Sequence, residues 1–404
     1  MRTFAALAAI AIILMLVPAM AAADWPMARH DPQHTSTADA QLTPPLALAW
    51  QKSPGGEVVS SPIVWNGILY GSNGDGDTLY AYDATTGSQL WSFKASGAIE
   101  STPAVANGSL ILCSYDGNMY DLNASTGTQA WSFGLNSGSF SSPLFYEGQA
   151  YVGTDDGQFY AVNISSGLQD WALSWTTQSS PAGAYGNIYV GTYQGTFYCL
   201  NASTGMTVWS YDANQTFHAS PLVYNGTVYC PSRNGTLYAF DAASGAIKWT
   251  YDIGYSTDSS PSIDPATGTL YVGSYDGYVF ALDASTGNLK WVSAFYGPIY
   301  STTAVSGDYL YGVSQDGKLF ALDASNGTGL WTYDLNSGVF ASPAISGGLL
   351  YIGTMGGELL AFNESSGASA PTPTAAAAAS ATPFPGTIAL LGALAVAGFL
   401  LRRR

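Results

Sequence analysis

Of 404 residues only 9% are Asp, Glu, Lys or Arg while 13% are aromatic, and 46 Gly and 20 Pro punctuate the chain. That much apolar and aromatic material excludes a disordered chain and points to many short strands joined by turns. The formal charge is −16; without Arg2 and Arg402–Arg404, which lie in terminal segments outside the expected fold, it is about −20. So acidic a surface has too few cations to displace the counterions of a phosphate backbone, which excludes nucleic acid as a partner.

In chain order, residues 1–23 begin with Arg2, run apolar from Phe4 to Val17 and end in small residues around Ala21-Ala22-Ala23, the pattern of a secretory signal peptide. Residues 24–49 carry Trp25-Pro26-Met27-Ala28-Arg29-His30-Asp31-Pro32-Gln33-His34-Thr35 without helical or strand periodicity, and are expected to form an irregular lead-in packed across the base of the fold. His30 and His34 are four apart, a metal spacing on a helix, but Pro32 between them argues against a helix.

From residue 50 to residue 367 one phrase recurs. It reads Ala281-Leu-Asp-Ala-Ser-Thr-Gly-Asn-Leu-Lys-Trp291 in its sixth copy, and similar frames end at Trp91, Trp131, Trp171, Trp209, Trp249 and Trp331, at intervals of 38 to 42 residues. An eighth frame, Ala361–Gly367, has no Trp after it, and Trp50 has no frame before it. A period near forty with a fixed aromatic predicts a propeller or solenoid. In the sixth copy, Ser259–Ile263, Thr269–Ser274, Tyr278–Leu282 and Leu289–Val292 read as four strands, the second and third joined by Tyr275-Asp276-Gly277, where Asp-Gly signals a hairpin because both positions can take positive φ. Ser/Thr-Pro-type strands start at Ser61, Thr102, Ser142, Ser180, Ser220, Ser260, Thr302 and Ser342, so the count is eight blades. The proline suits an innermost strand whose edge faces a central channel. The expected fold is therefore all-β: an eight-bladed β-propeller of four-stranded blades, closed by an N-terminal strand in which Trp50 completes the last blade. Each Trp should wedge between blades and donate its indole N–H to a carbonyl of the turn just before it.

Cys113, Cys199 and Cys230 replace small or apolar strand residues. Buried thiols are the plain expectation, and a Cys199–Cys230 bridge between neighbouring blades is the alternative. Asn73, Asp75 and Asp77 space oxygens as a calcium loop would, but at a hairpin tip, where an enlarged polar turn is the simpler reading. Nine Asn-x-Ser/Thr sequons occur, at Asn107, Asn123, Asn163, Asn201, Asn214, Asn225, Asn234, Asn326 and Asn363. At Asn123, Asn163, Asn201 and Asn363 turn chemistry accounts for the asparagine, and glycosylation of some sequons fits an exported protein.

Residues 368–385 are rich in Ala, Thr, Ser and Pro, as in a linker. In residues 386–404 an apolar run of fourteen, Ile388–Leu401, precedes Arg402-Arg403-Arg404. Such a run spans about 21 Å as a helix against about 30 Å of bilayer core, which suits a sorting signal or short anchor to the membrane or envelope.

Positions that refuse to repeat are those freed from structural duty. Three before each strand proline, or its equivalent, stand Val59, Glu100, Phe140, Gln178, His218, Asp258, Tyr300 and Phe340, and the hairpin tips beside them include Tyr115, Tyr193, Arg233 and Tyr275. Both sets should ring one mouth of the channel, a mixture suited to a sugar, a peptide or a cationic ligand. Drift at exposed loop ends would give the same variability.

The frame, the Ser-Pro strand, the Leu-Tyr-Val-Gly-Ser-x-Asp-Gly hairpin and the lead-in Asp24-Trp25-Pro26 resemble the pyrroloquinoline-quinone-like propeller repeats of quinoprotein dehydrogenases and of the non-catalytic barrel-assembly lipoprotein. The first resemblance implies a quinone cofactor over adjacent disulfide-bonded cysteines, a calcium and large inserted loops. No two cysteines here are adjacent and the period leaves no room for inserts. The C-terminal linker, Pro385-Gly386, apolar run and Arg cluster are similar to the tripartite signals processed by archaeosortases on archaeal surface proteins, although Thr387 stands where their Phe would be. The reading is a non-enzymatic scaffold without cofactor, displayed outside the cytoplasm at the cell surface, that binds a protein, peptide or glycan. A quinoprotein-type oxidoreductase is the alternative.

Overall fold

The frame folds as its alternation dictates: in each copy apolar residues at every second position line one face of a strand, and Asp/Asn-x-x-x-Gly turns the chain back. The computed structural model describes residues 24–365 apart from Asp75 and Tyr296. The expected signal peptide, linker and C-terminal segment lie outside the described residues.

Eight four-stranded antiparallel sheets form the blades. Blade 6 consists of Ser262–Asp264, Thr269–Gly273, Tyr278–Asp283 and Leu289–Ala294, from the channel outward. Ala281 pairs with Trp291, and a bulge follows between Ala281 and Leu282. The inner strand is shorter than the sequence suggests. It begins after Ser260-Pro261: Pro261 has no N–H to pair, and the Ser260 hydroxyl accepts from the Ser220 N–H of the preceding blade. Tyr275-Asp276-Gly277 forms the hairpin tip as expected, but of its residues only Gly277 takes positive φ, 79°, and its N–H bonds Ser274 O at 3.1 Å.

Blade 8 is completed by Leu46–Lys52, which runs antiparallel to Leu359–Glu364 with Trp50 opposite Ala361. The N-terminal closure expected from the missing eighth Trp is present.

At six of the eight junctions a blade is locked to the next by a pair of hydrogen bonds onto one carbonyl. Trp209 Nε1 and the Tyr189 hydroxyl of blade 4 both donate to Ala242 O of blade 5, at 3.0 and 3.1 Å. Trp291 and Tyr271 converge likewise on Ala324 O, and Trp50 and Tyr351 on Ala84 O. The acceptor is thus the turn of the following blade, about 33 residues ahead, and not the turn just before the Trp. The indole points away from its own tight turn and across the blade interface. The glycine of that following turn lies under the ring: a Cβ on Gly245, at φ +71°, would come 2.6 Å from Trp209 Cδ2. Glycine is kept there because the partner blade leaves no room.

Two junctions differ: between blades 2 and 3 Trp131 alone donates to Ile164 O, at 2.8 Å, and between blades 7 and 8 the lead-in takes part. The Tyr311 hydroxyl donates to Leu42 O of the lead-in at 2.6 Å, and Trp331 packs edge-on against Phe362.

The lead-in does more than pack across a base. It travels round the channel wall, pairing with inner strands in turn. Trp25 and Val64 exchange two bonds of 2.8 Å in blade 1, and Pro26 O accepts from Val105 in blade 2. Pro32, Gln33, Thr35 and Ser36 carbonyls accept from Gly183, Val223, Ile263 and Val305 of blades 4 to 7. In these six blades the inner edge is therefore not free; the lead-in supplies acceptors that the channel would otherwise leave to water.

The three cysteines are buried free thiols, with no Cys199–Cys230 bridge. Burial pushes the Cys199 thiol up to about 12.

Two predictions follow from this packing. Deleting residues 24–51 removes the outer strand of blade 8 and the channel lining together, and should lower the melting temperature by more than about 10 °C; an unchanged value would refute the closure. Gly245→Ala should cost about 2–3 kcal/mol in urea unfolding. Gly226→Ala, at φ +69° but with open space around it, should cost only the left-handed penalty of about 1 kcal/mol. Equal losses would show that the Trp contact is not what holds the glycine.

Candidate binding site at the channel mouth

At the mouth opposite the lead-in, a cavity of about 540 Å³ opens on the axis. It is lined by Val59, Glu100, Phe140, Gln178, His218, Asp258 and Phe340, seven of the eight non-repeating positions before the strand prolines, together with Glu57 and Arg29. The hairpin tips stand beside them. Tyr115 meets Phe140 edge-on at 5.9 Å, Tyr193 meets His218 at 4.7 Å, and Tyr300 lies between Tyr275 at 4.5 Å and Phe340 at 5.8 Å. Phe140 and Phe340 are 46% and 40% exposed, so large apolar rings face solvent at the rim.

Two charged clusters divide the rim. Around Asp258, His218 Nδ1 lies 3.5 Å and Arg233 Nε 4.0 Å from one carboxylate oxygen, while the Tyr275 hydroxyl donates to the other. Burial raises the Asp258 pKa, but the bonds from His218 and Tyr275 and the nearby positive charges outweigh it and hold the carboxyl below its ordinary range. Across the mouth Glu100 and Asp155 flank Tyr115. Burial, then the neighbouring carboxylates, push Glu100 up; burial raises Asp155 as well.

Beneath the rim the Ser/Thr residues that precede the inner strands form a ring of their own. The Ser61 N–H donates to Thr102 Oγ1, Thr102 to Ser142, Ser142 to Ser180, Ser180 to Ser220 and Ser220 to Ser260, each at 2.9–3.1 Å. Thr302 donates to Ser342, and Ser342 back to Ser61. The one hydroxyl without a backbone donor, Thr302 Oγ1, accepts from Arg29 Nε at 3.3 Å. The repeated Ser/Thr thus fastens inner strands hydroxyl to backbone, and the proline after it keeps that backbone extended.

Arg29 and Glu57 were not anticipated as site residues. Arg29 belongs to a stretch without periodicity, and nothing local marks it as reaching the axis. His30 and His34 go to different partners: His30 Nδ1 lies 3.3 Å from Asp31 Oδ2, and His34 Nδ1 lies 2.9 Å from Pro221 O. At the calcium-like tip, Asn73 Oδ1 accepts from the Thr78 N–H and Asp77 pairs with Lys94 at 3.0 Å, as an enlarged polar turn would have it; Asp75 lies outside the described residues. Of the four turn asparagines, Asn123, Asn163 and Asn201 each accept from backbone N–H groups of their own turns, whereas Asn363 lies in the strand Leu359–Glu364 and the end of its turn is outside the described residues.

A protein family described as outer membrane protein assembly factor BamB matches residues 47–180, 171–303 and 296–382. The chain belongs to this family. No curated protein matches it in sequence. Among solved structures it is similar to BamB from Moraxella catarrhalis, with 18% identity over 79% of this chain and 100% of that one and a TM-score of 0.69. A europium-containing methanol dehydrogenase gives 15% identity over 84% and 98%, with a TM-score of 0.76. Quinohemoprotein alcohol dehydrogenase from Comamonas testosteroni gives 16% over 86% and 82%, with a TM-score of 0.75. At such identities the likeness establishes the eight-bladed architecture and leaves function to the site.

The two clusters should titrate in opposite senses. The contribution of Glu100 and Asp155 is greatest below the ordinary carboxylate range and falls as pH rises through their raised pKa values. That of Asp258 is present above the ordinary Asp pKa and is lost as pH falls through the depressed one. Glu100→Gln should therefore raise the melting temperature at pH 7, with the gain vanishing by about pH 4. Asp258→Asn should lower it at pH 7, with the deficit shrinking below about pH 4. Parallel profiles for the two variants would contradict the assignment.

Proposed function

We propose that the protein is a non-enzymatic binding scaffold that receives a protein, peptide or glycan at the channel mouth, outside the cytoplasm. The observation that carries this reading is the contrast within one site. Eight copies keep their frame, while the residues at the mouth differ from blade to blade and set exposed aromatics beside fixed charges. Aromatic rings with hydrogen-bonded carboxylates suit the stacking and polar contacts of sugars and peptide side chains.

The quinoprotein alternative draws on the dehydrogenases of like fold. What speaks against it is the donor set. Among the described residues no group of three or more His, Cys, Asp or Glu is placed to hold a metal, and Asp258 is taken by His218 and Tyr275. A quinone bearing several carboxylates would also meet Glu57, Glu100 and Asp258 in the cavity wall. We take no cofactor to be resident. The apolar leader supports export, and the C-terminal apolar run with its Arg cluster supports attachment to the membrane or envelope.

Glycan and peptide arrays test the scaffold, with Tyr300→Ala and Phe340→Ala expected to weaken any hit at least tenfold. Hits that ignore both variants would move the site elsewhere. Adding pyrroloquinoline quinone with calcium and recording the absorbance spectrum tests the alternative: a stoichiometric, dehydrogenase-active complex would overturn the scaffold reading.

A further inference from the structure

The floor of the mouth carries a charge that the protein leaves unbalanced. Arg29 rises from the lead-in, spends its Nε on Thr302, and has a buried Nη1 with no partner. Among the described residues no carboxylate lies within ion-pair distance of it; its titratable neighbours from the packed elements are His34 and Cys230. Neither compensates. Burial, then the Arg29 charge, lowers the His34 pKa to about 3 and keeps that ring neutral, and burial keeps Cys230 a thiol.

Around this cation stands the hydroxyl ring. Each ring oxygen is an acceptor, to a backbone N–H in seven cases and to Arg29 in the eighth, so each hydroxyl hydrogen remains to be donated. None has a protein acceptor among the described residues. Ser61, Thr102, Ser142, Ser180, Ser220 and Ser260 line the same cavity as Arg29. A half-buried cation with an unpartnered, buried Nη1 is costly, and converging donors without acceptors mark a place where negative charge is stabilised.

We propose that the base of the channel is a binding site for a compact oxyanion, in the first instance a carboxylate group, held by the Arg29 guanidinium and by hydroxyls of the Ser/Thr ring. The carboxylates of Glu57, Glu100 and Asp258 higher in the cavity repel a polyanion. The ligand therefore has a single acidic end that enters first and a neutral or cationic remainder that reaches the aromatic rim. The proposal deepens the scaffold reading and rests on it for the rim contacts; the anion site itself depends only on the floor.

Thermal unfolding and calorimetry of the intact chain with sodium acetate, inorganic phosphate and neutral acetamide decide the matter. Acetate between about 1 and 100 mM should raise the melting temperature saturably by mass action, with one site per chain by calorimetry, and acetamide should not. Arg29→Met loses no ion pair, so it should melt no lower than the parent without anion, yet bind acetate at least tenfold more weakly. Ser220→Ala with Ser260→Ala should weaken acetate severalfold with Arg29 in place, and decides the question should Arg29→Met fail to fold. An acetate response equal in the parent and these variants, or no saturable response, would overturn the proposal. Phosphate bound as tightly as acetate fits a general oxyanion site, whereas phosphate bound more than tenfold tighter would overturn the carboxylate assignment. Empty arrays with a retained acetate response would remove the scaffold reading and leave the anion site, and array hits with no acetate response would do the reverse.

Discussion

The ring closes because in six of the eight blades a single carbonyl is claimed twice by the blade before it. A Trp indole and a Tyr hydroxyl meet on Ala84, Ala124, Ala202, Ala242, Ala284 and Ala324, each bond contributing about 1 kcal/mol beyond the area its ring buries. Both donors are buried or nearly so, and losing the carbonyl would leave two orphaned polar groups in an apolar seam. The geometry also explains why the turn glycine is kept: it takes positive φ and it lies beneath the preceding indole. Where a donor is lost the lock weakens to one bond, as at Ile164, approached by Trp131 alone because Ile111 stands in the place of the tyrosine.

How much of this was legible in the sequence follows from the distance over which each feature acts. The strand count, the eight blades and the closing role of Trp50 were readable because repetition averages away local ambiguity. The indole acceptor was placed in the wrong blade, since periodicity says that a Trp and a turn coexist in every copy but not which copies meet. The inner strand is shorter than its alternation suggests for a similar reason: Ser260-Pro261 alternates like a strand, yet the Ser260 hydroxyl serves the preceding blade. Seven of the eight positions that resist repetition do line one cavity, because in a propeller every copy of a position lies at one height on the axis. Arg29 was not legible at all. It occurs once, in a segment without a period, and its place on the axis is set by six contacts of the lead-in with inner strands far away in sequence.

The lead-in therefore does three things that the repeats cannot. It supplies acceptors to inner-strand N–H groups that would otherwise face the channel, it gives the last interface Leu42 O in place of a missing turn, and it brings a cation to the axis. Each follows from being unrepeated. A closed ring of similar blades offers the same group eight times at each height, as the Ser/Thr hydroxyls show, and equivalent donors pointing inward distinguish ligands by size and charge but not by orientation. Orientation requires a break in the symmetry. Here the break occurs at two heights: at the floor, where Arg29 takes the side of Thr302, and at the rim, where the Asp258 cluster faces the Glu100 and Asp155 pair across the mouth. A ligand that contacts both levels is held in one direction along the axis and at one angle around it. A ligand that contacts only the ring is free to turn.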